Sequence, residues 1–421
     1  MLSILGKKTT GFCDGVSRRG FLKLGAMTIG GFTLADLIKA EASAGTGSSH
    51  KAVINIHLTG GPSHQDMFDL KPNAPVEFRG EFNPVATNVP GMQICEHFPM
   101  LAQMADKFAV VRSLIGSAGQ HSNFQTHSGY DSRDLASVGG HPSLGSVVSR
   151  MQGSHHGAPP FISYNGGEPG FLGPIHKPYK PSGGDLSMNR SLTESRLGDR
   201  TNLLTSLDRI RRDADASGQM SALDAHTRQA VELIVSGRVG DALDLNKEDA
   251  KLVERYGKDG KNFLTARRLI EAGVRVVSLN WGSWDSHQGN FTRLKTQLPK
   301  LDVAMSALIQ DLHDRGMDQD VTVVMWGEFG RTPRINKTAG RDHWRKVMMA
   351  FLAGGGMQTG QMIGTTSDDA GEAKDRPIHV HEVFSTIYRN LGIDTASTTL
   401  ADTNGRPQYL TDIRQPISEL V

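Results

Sequence analysis

Cysteine is nearly absent: the 421 residues hold two, Cys13 and Cys95. Cys13 belongs to a segment that reads as a removable leader, so the mature chain has one thiol and no internal disulfide. Flanked by Ile94 and Glu96, Cys95 reads as a small packing residue rather than a nucleophile. Charge imbalance is missing too, with 46 Lys and Arg against 44 Asp and Glu. No basic stripe with interleaved aromatics occurs, which removes nucleic acid as an expected partner. Residues 24–38 are only moderately apolar, contain glycine and are too short for an ordinary membrane span. Internal repeats are absent. What is present is a 38% hydrophobic, 21% charged composition, enough for a sizeable core in one large domain or two smaller ones. The 48 glycines predict many loops with unusual backbone angles.

The N-terminus carries Lys7, Lys8, Arg18, Arg19 and Lys23 ahead of that apolar stretch, with Ala40, Ala42 and Ala44 as small residues for cleavage. Within it, SRRGFLK matches a twin-arginine export signal. Residues 1–44 are therefore expected to be a signal peptide read by the twin-arginine export machinery. The folded product is expected in the periplasm or another extracytoplasmic space, with no stable membrane span after cleavage. Residues 1–44 contain six Lys/Arg and three Asp/Glu, which leaves 40 positive against 41 negative charges in the remainder.

Buried strands are predicted over 52–58, 108–114, 274–280, 321–326 and 347–355, with FISY at 161–164 as a short further candidate. Helices are predicted over 143–151, 263–272, 291–315 and 381–391, with Gly273 and Gly392 closing two of them. Residues 199–256 are charged, with apolar positions at helical spacing, and read as a helical insertion beside the sheet. Such alternation predicts an α/β three-layer sandwich with a mostly parallel central sheet, formed by residues 45–421.

Candidate ligands gather where strands stop. Ser63, His64, Asp66 and Asp69 follow the first strand, and His121, Ser122, Asn123 and His127 the second. WGSWDSHQGNF brings Asp285 and His287, GEFGR brings Glu328 and Arg331, and GRDHW brings Asp342 and His343. All but GRDHW, which precedes its strand, fall at carboxyl ends, the edge where open α/β sheets bind ligands. Carboxylates and imidazoles converging on one point suit a divalent ion, zinc first, with Mn, Ca or Mg as alternatives. Arg331 beside Glu328 reads either as a clamp for an anionic group or as a partner that stabilises the turn.

The blocks GGPSHQDMFDLKP, WGSWDSHQGNF, GEFGRTPRIN, GRDHW, FLAGGG and HEVFSTIYRNLGID run in order across nearly the whole chain. They resemble the exported family catalogued as domain of unknown function 1501, related to alkaline phosphatases and sulfatases. The resemblance implies an alkaline-phosphatase-like sandwich with metal ligands at one sheet edge. Carried over position by position, it offers Asp66, Asp285, His287, Glu328 and His343 as metal ligands, to which the acid of GRDHW adds Asp342. Ser122 is the nucleophile candidate it offers, and His121, as acid/base, and Arg331, for charge on the ester oxygens, join it as catalytic residues from the reading of the strand-end clusters. Phe329 stands where the superfamily has a histidine, and Ser122 lacks the usual nucleophile context. The expected activity is metal-dependent hydrolysis of phosphate or sulfate esters on a small molecule or glycan. The alternative is a non-catalytic periplasmic protein that binds sulfated or phosphorylated glycans.

Overall fold

A computed structural model describes residues 50–155, 157–181 and 237–421. The expected signal peptide and residues 199–236 of the expected insertion lie outside the described residues. Eight strands form the main sheet: β1 (Ala52–His57), β2 (Phe108–Ile115), β3 (Phe161–Ser163), β4 (Val276–Asn280), β5 (Val321–Trp326), β6 (Met348–Gly354), β7 (Gln361–Ile363) and β8 (Ile378–His379). Their order is β7–β2–β6–β5–β1–β4–β3, with β8 also pairing β2. β1 runs parallel to β4 and β5, and β4 parallel to β3. β6 is antiparallel to both its neighbours, β5 and β2. That reversal places the start of β6 at the edge where the other strands end. His343, five residues before β6, thereby joins residues that follow β1, β2, β4 and β5.

The helices that cover the sheet are α1 (Phe124–Ser128), α2 (Leu144–Gln152), α3 (Arg238–Leu243), α4 (Ala250–Tyr256), α5 (Lys261–Glu271), α6 (Asn290–Asp314) and α7 (Val380–Asn390). Alternation along each strand sorts the core into two layers. Ile54, Ile56, Val323 and Met325 pack with Leu269 and Ile270 of α5 and with Leu301, Met305 and Leu308 of α6. Val53, Val276, Val324 and Trp326 pack with Val147 and Val148 of α2 and with Phe384, Ile387 and Tyr388 of α7. A one-residue slip of β1 would exchange these sets, so burial on both faces fixes its register. The result is a three-layer α/β sandwich.

The described part of the expected insertion is helical, as α3 and α4. Charge ties it to the layer below: Glu248 accepts from Arg267 and Arg268 of α5, at 2.7 Å each. Tyr256 donates to Asp311 of α6 at 2.8 Å. Cys95 is buried, and burial pushes its thiol up to about 12, which leaves it a packing residue. Among the described residues no helix is long and apolar enough to cross a membrane.

Candidate metal centre

The turn after β1 has to be glycine for the centre to assemble. Gly60 and Gly61 have φ of 102° and 73°, where glycine alone is unstrained. A Cβ on Gly60 would meet Asp285 N at 2.4 Å, and one on Gly61 would meet the Phe329 ring at 2.5 Å. The small turn therefore lets the loops after β4 and β5 close over the end of β1.

Asp285 is the hub. Its Oδ1 lies 3.0 Å from His287 Nε2 and 3.1 Å from His343 Nε2, while Oδ2 lies 3.6 Å from His121 Nε2. One donor atom each from His121, Asp285 and His343 falls within 4.8 Å of the others. His287 Nε2 is 3.1 Å from His343 Nε2. Donors about 2.0–2.1 Å from a tetrahedral zinc stand about 3.3 Å apart, so these spacings suit one ion. Burial alone would raise the Asp285 carboxyl, but hydrogen bonds from Arg331 and His343 outweigh it and hold it at about 2. Burial pulls His343 below the usual imidazole range, against the hydrogen bond to Asp285, so the ring keeps a lone pair to offer.

Each of two imidazoles has a carboxylate behind it. His121 Nδ1 lies 3.2 Å from Glu328 Oε1, which also accepts from Gly60 N at 2.8 Å. His287 Nδ1 lies 2.6 Å from Asp342 Oδ1, and that bond is the main cause holding the Asp342 carboxyl low. With Nδ1 donating to a carboxylate, Nε2 is left as the free acceptor, which suits His121, one of the three grouped donors, to an ion and His287, outside that group, to a proton. Glu328 and Asp342 thus orient ring nitrogens rather than enter the cluster of donors. Phe329, fully buried, forms the floor, its ring centroid 5.1 Å from His121 and 4.3 Å from His343. A phenyl ring has no donor atom, so Phe329 walls the centre and adds no ligand to it.

Three expected residues have other duties. Arg331 is fully buried and four of its five N–H groups are used: Nε donates to Gly61 O at 3.0 Å, Nη1 to Arg341 O at 2.9 Å, and Nη2 to Gly60 O and to Asp285 Oδ1. It anchors Asp285, and being fully buried it presents no exposed face to a substrate anion. Asp66 is taken up by Arg341, whose Nε and Nη2 donate to its two oxygens at 2.8 and 2.9 Å, with Asn290 donating at 2.9 Å. Ser122 accepts from Phe124 N at 3.2 Å and so supports the turn into α1.

One participant escapes sequence reasoning. His57 ends β1 and faces Glu328 Oε2 at 3.4 Å; burial, then His127, pull it down to about 3, so it is neutral. Glu328 Oε2 is buried without a hydrogen-bond partner, and burial pushes this carboxyl above its usual range. His57, with Asn55 one of two polar residues inside the apolar run AVINIHL, was the available signal.

Fold and centre together define an α/β sandwich protein with histidines and carboxylates converging at one sheet edge. The chain belongs to the family described as protein of unknown function (DUF1501), whose profile matches residues 50–421. A search of curated proteins returns no match. Among solved structures, the chain is similar to Ps i-CgsB, at 10% identity and a TM-score of 0.33, covering 82% of this chain and 72% of that one. Ps i-CgsB in complex with k-i-k-neocarrahexaose gives 9%, 0.34, 81% and 72%. The PsFucS1 sulfatase from Pseudoalteromonas sp. gives 10%, 0.33, 86% and 70%. Likenesses this distant carry no argument about activity, which rests on the centre itself.

Proposed function

We propose that the protein is an exported hydrolase of phosphate or sulfate esters whose one divalent ion is held by His121, Asp285 and His343. The observation that carries this reading is the convergence of these three donors, with carboxylates behind two of the neighbouring imidazoles. Two nitrogens and an oxygen suit zinc, and three protein ligands leave a position open, as catalytic sites require. A bound ion supplies Lewis acidity to an ester oxygen or to water.

The chain's own residues do the rest. Asp285, ionised and fixed by Arg331, offers negative charge to the ion. Glu328 keeps the His121 proton on Nδ1. His287, oriented by Asp342, is the proton carrier: it takes a proton from the attacking water and returns it to the oxygen of the leaving alcohol. Ser122 is given no part, because its hydroxyl serves its own turn. The same absence of a placed nucleophile favours the second reading, a protein that binds sulfated or phosphorylated glycans without cleaving them.

Turnover of aryl phosphates and aryl sulfates, with and without added Zn or Mn, tests the proposal. Metal-dependent cleavage is expected, with His287→Ala retaining the ion but losing turnover by about 10²–10⁴-fold. Loss of the ion in that variant would make His287 a ligand instead. Thermal stabilisation by sulfated sugars, with no cleavage of any ester, would establish the binding reading. The extracytoplasmic location rests on the twin arginines: the double variant Arg18→Lys, Arg19→Lys is expected to leave the precursor in the cytoplasm, and normal export would refute it.

A further inference from the structure

Beside the metal centre, between the end of β4 and the first turns of α6, lies an open groove of about 1030 Å³. Four cations line it, Lys258, Lys261, Arg293 and Lys300, against one acid, Asp259. This is a local excess in a chain whose charges otherwise balance. Asp259 lies 3.7 Å from Lys300, and Arg293 donates to the Asp285 backbone carbonyl at 3.0 Å. Groove and centre are therefore neighbours: Arg293 lines the groove and holds the Asp285 backbone, and Gln288 of the groove directly follows His287.

We infer that this groove binds further anionic ester groups of the substrate, which makes the substrate a sulfated or phosphorylated oligosaccharide rather than a small monoester. The inference deepens the hydrolase reading and rests on it for the reaction at the centre. Cations alternate in the groove with amide side chains, Asn262 and Gln288 among them, a lining that matches a chain rich in both charges and hydroxyls. A nucleic acid would need exposed rings on which to stack its bases. The groove's aromatic residue, Trp281, is 7% exposed and its indole N–H donates to Asp259 O at 2.9 Å, so it offers no such platform.

The test is binding of fluorescent dextran sulfate oligosaccharides by the full mature chain, followed by anisotropy. Phosphomannan oligosaccharides serve as the phosphate arm, and neutral dextran and inorganic sulfate as controls. The triple variant Lys258→Ala, Lys261→Ala, Lys300→Ala is expected to weaken one or both anionic glycans by about tenfold or more, an effect that shrinks as salt screens it. Whichever arm binds tighter identifies the ester. Metal content and turnover of a small aryl ester are expected to stay at wild-type levels in this variant. A control with the same charge change elsewhere, Lys247→Ala, Lys251→Ala, Lys374→Ala, is expected to bind as wild type. The inference is overturned if the groove variant binds both glycans as tightly as wild type, or if the control loses as much. Binding is also measured on His343→Ala, so failure of the hydrolase reading shows as lost turnover with groove binding intact.

Discussion

Two arginine–aspartate pairs sit within this sheet edge and do opposite things. Arg341 and Asp66 are both buried, and every oxygen of Asp66 is claimed from within the protein, by Arg341, Asn290 and Ser63. Arg331 is equally buried, but its partner Asp285 is 40% exposed and shows its second oxygen to His121 rather than to a second arginine bond. The first pair is closed and holds loops together. The second is open: the arginine uses one N–H to fix a carboxylate whose remaining valence faces three imidazoles. What separates a structural ion pair from a ligand is therefore how many lone pairs the partner leaves unspent.

That contrast can be broken from either side. The largest effect is expected at the closed pair. Asp66→Ala leaves Arg341 buried without its counter-charge, and chemical denaturation should show a loss of about 3–5 kcal/mol of stability. Metal content per folded chain should not change. A stable Asp66→Ala that lost its metal would make Asp66 a ligand and erase the distinction. A smaller effect is expected behind the open pair, where Glu328→Gln should weaken metal affinity by about 10–100-fold through the His121 ring. Titration with a competing chelator measures it, and an unchanged affinity would remove Glu328 from the account.

The smallest effect is in acid. Asp285 is held at about 2 against an ordinary 3.8, so its depressed carboxyl stabilises the fold above pH 4 and loses that contribution as the pH falls toward 2. Metal-free wild type should lose slightly more stability across that window than Asp285→Asn, and equal slopes would contradict the pairing with Arg331.

Much of this was legible in the chain. Strand runs such as VTVVMW and helical spacing in 291–315 announce a two-faced sheet, and β5 and α6 lie where those patterns place them. Asp285, His287 and His343 were readable as a set because they fall in short polar blocks beside apolar runs. The direction of β6 was not, since an apolar run carries no sign of which way it lies in a fully buried sheet. Only the antiparallel pairing explains how GRDHW, ahead of its strand, reaches the others. The roles of Asp66 and Arg331 were hidden for a related reason. An acid and an arginine near a glycine turn look alike whether their hydrogen bonds are spent or spare, and that depends on Arg341 and Asp285, some 275 and 46 residues away in sequence.

The central claim is that His121, Asp285 and His343 hold one divalent ion, and elemental analysis of the protein purified without chelator tests it most directly. The account predicts close to one equivalent of a divalent ion per chain, with nearly all of it lost in His343→Ala while the far-ultraviolet circular dichroism stays native. Wild type that carries no metal, and takes up none when titrated with Zn or Mn, would contradict it.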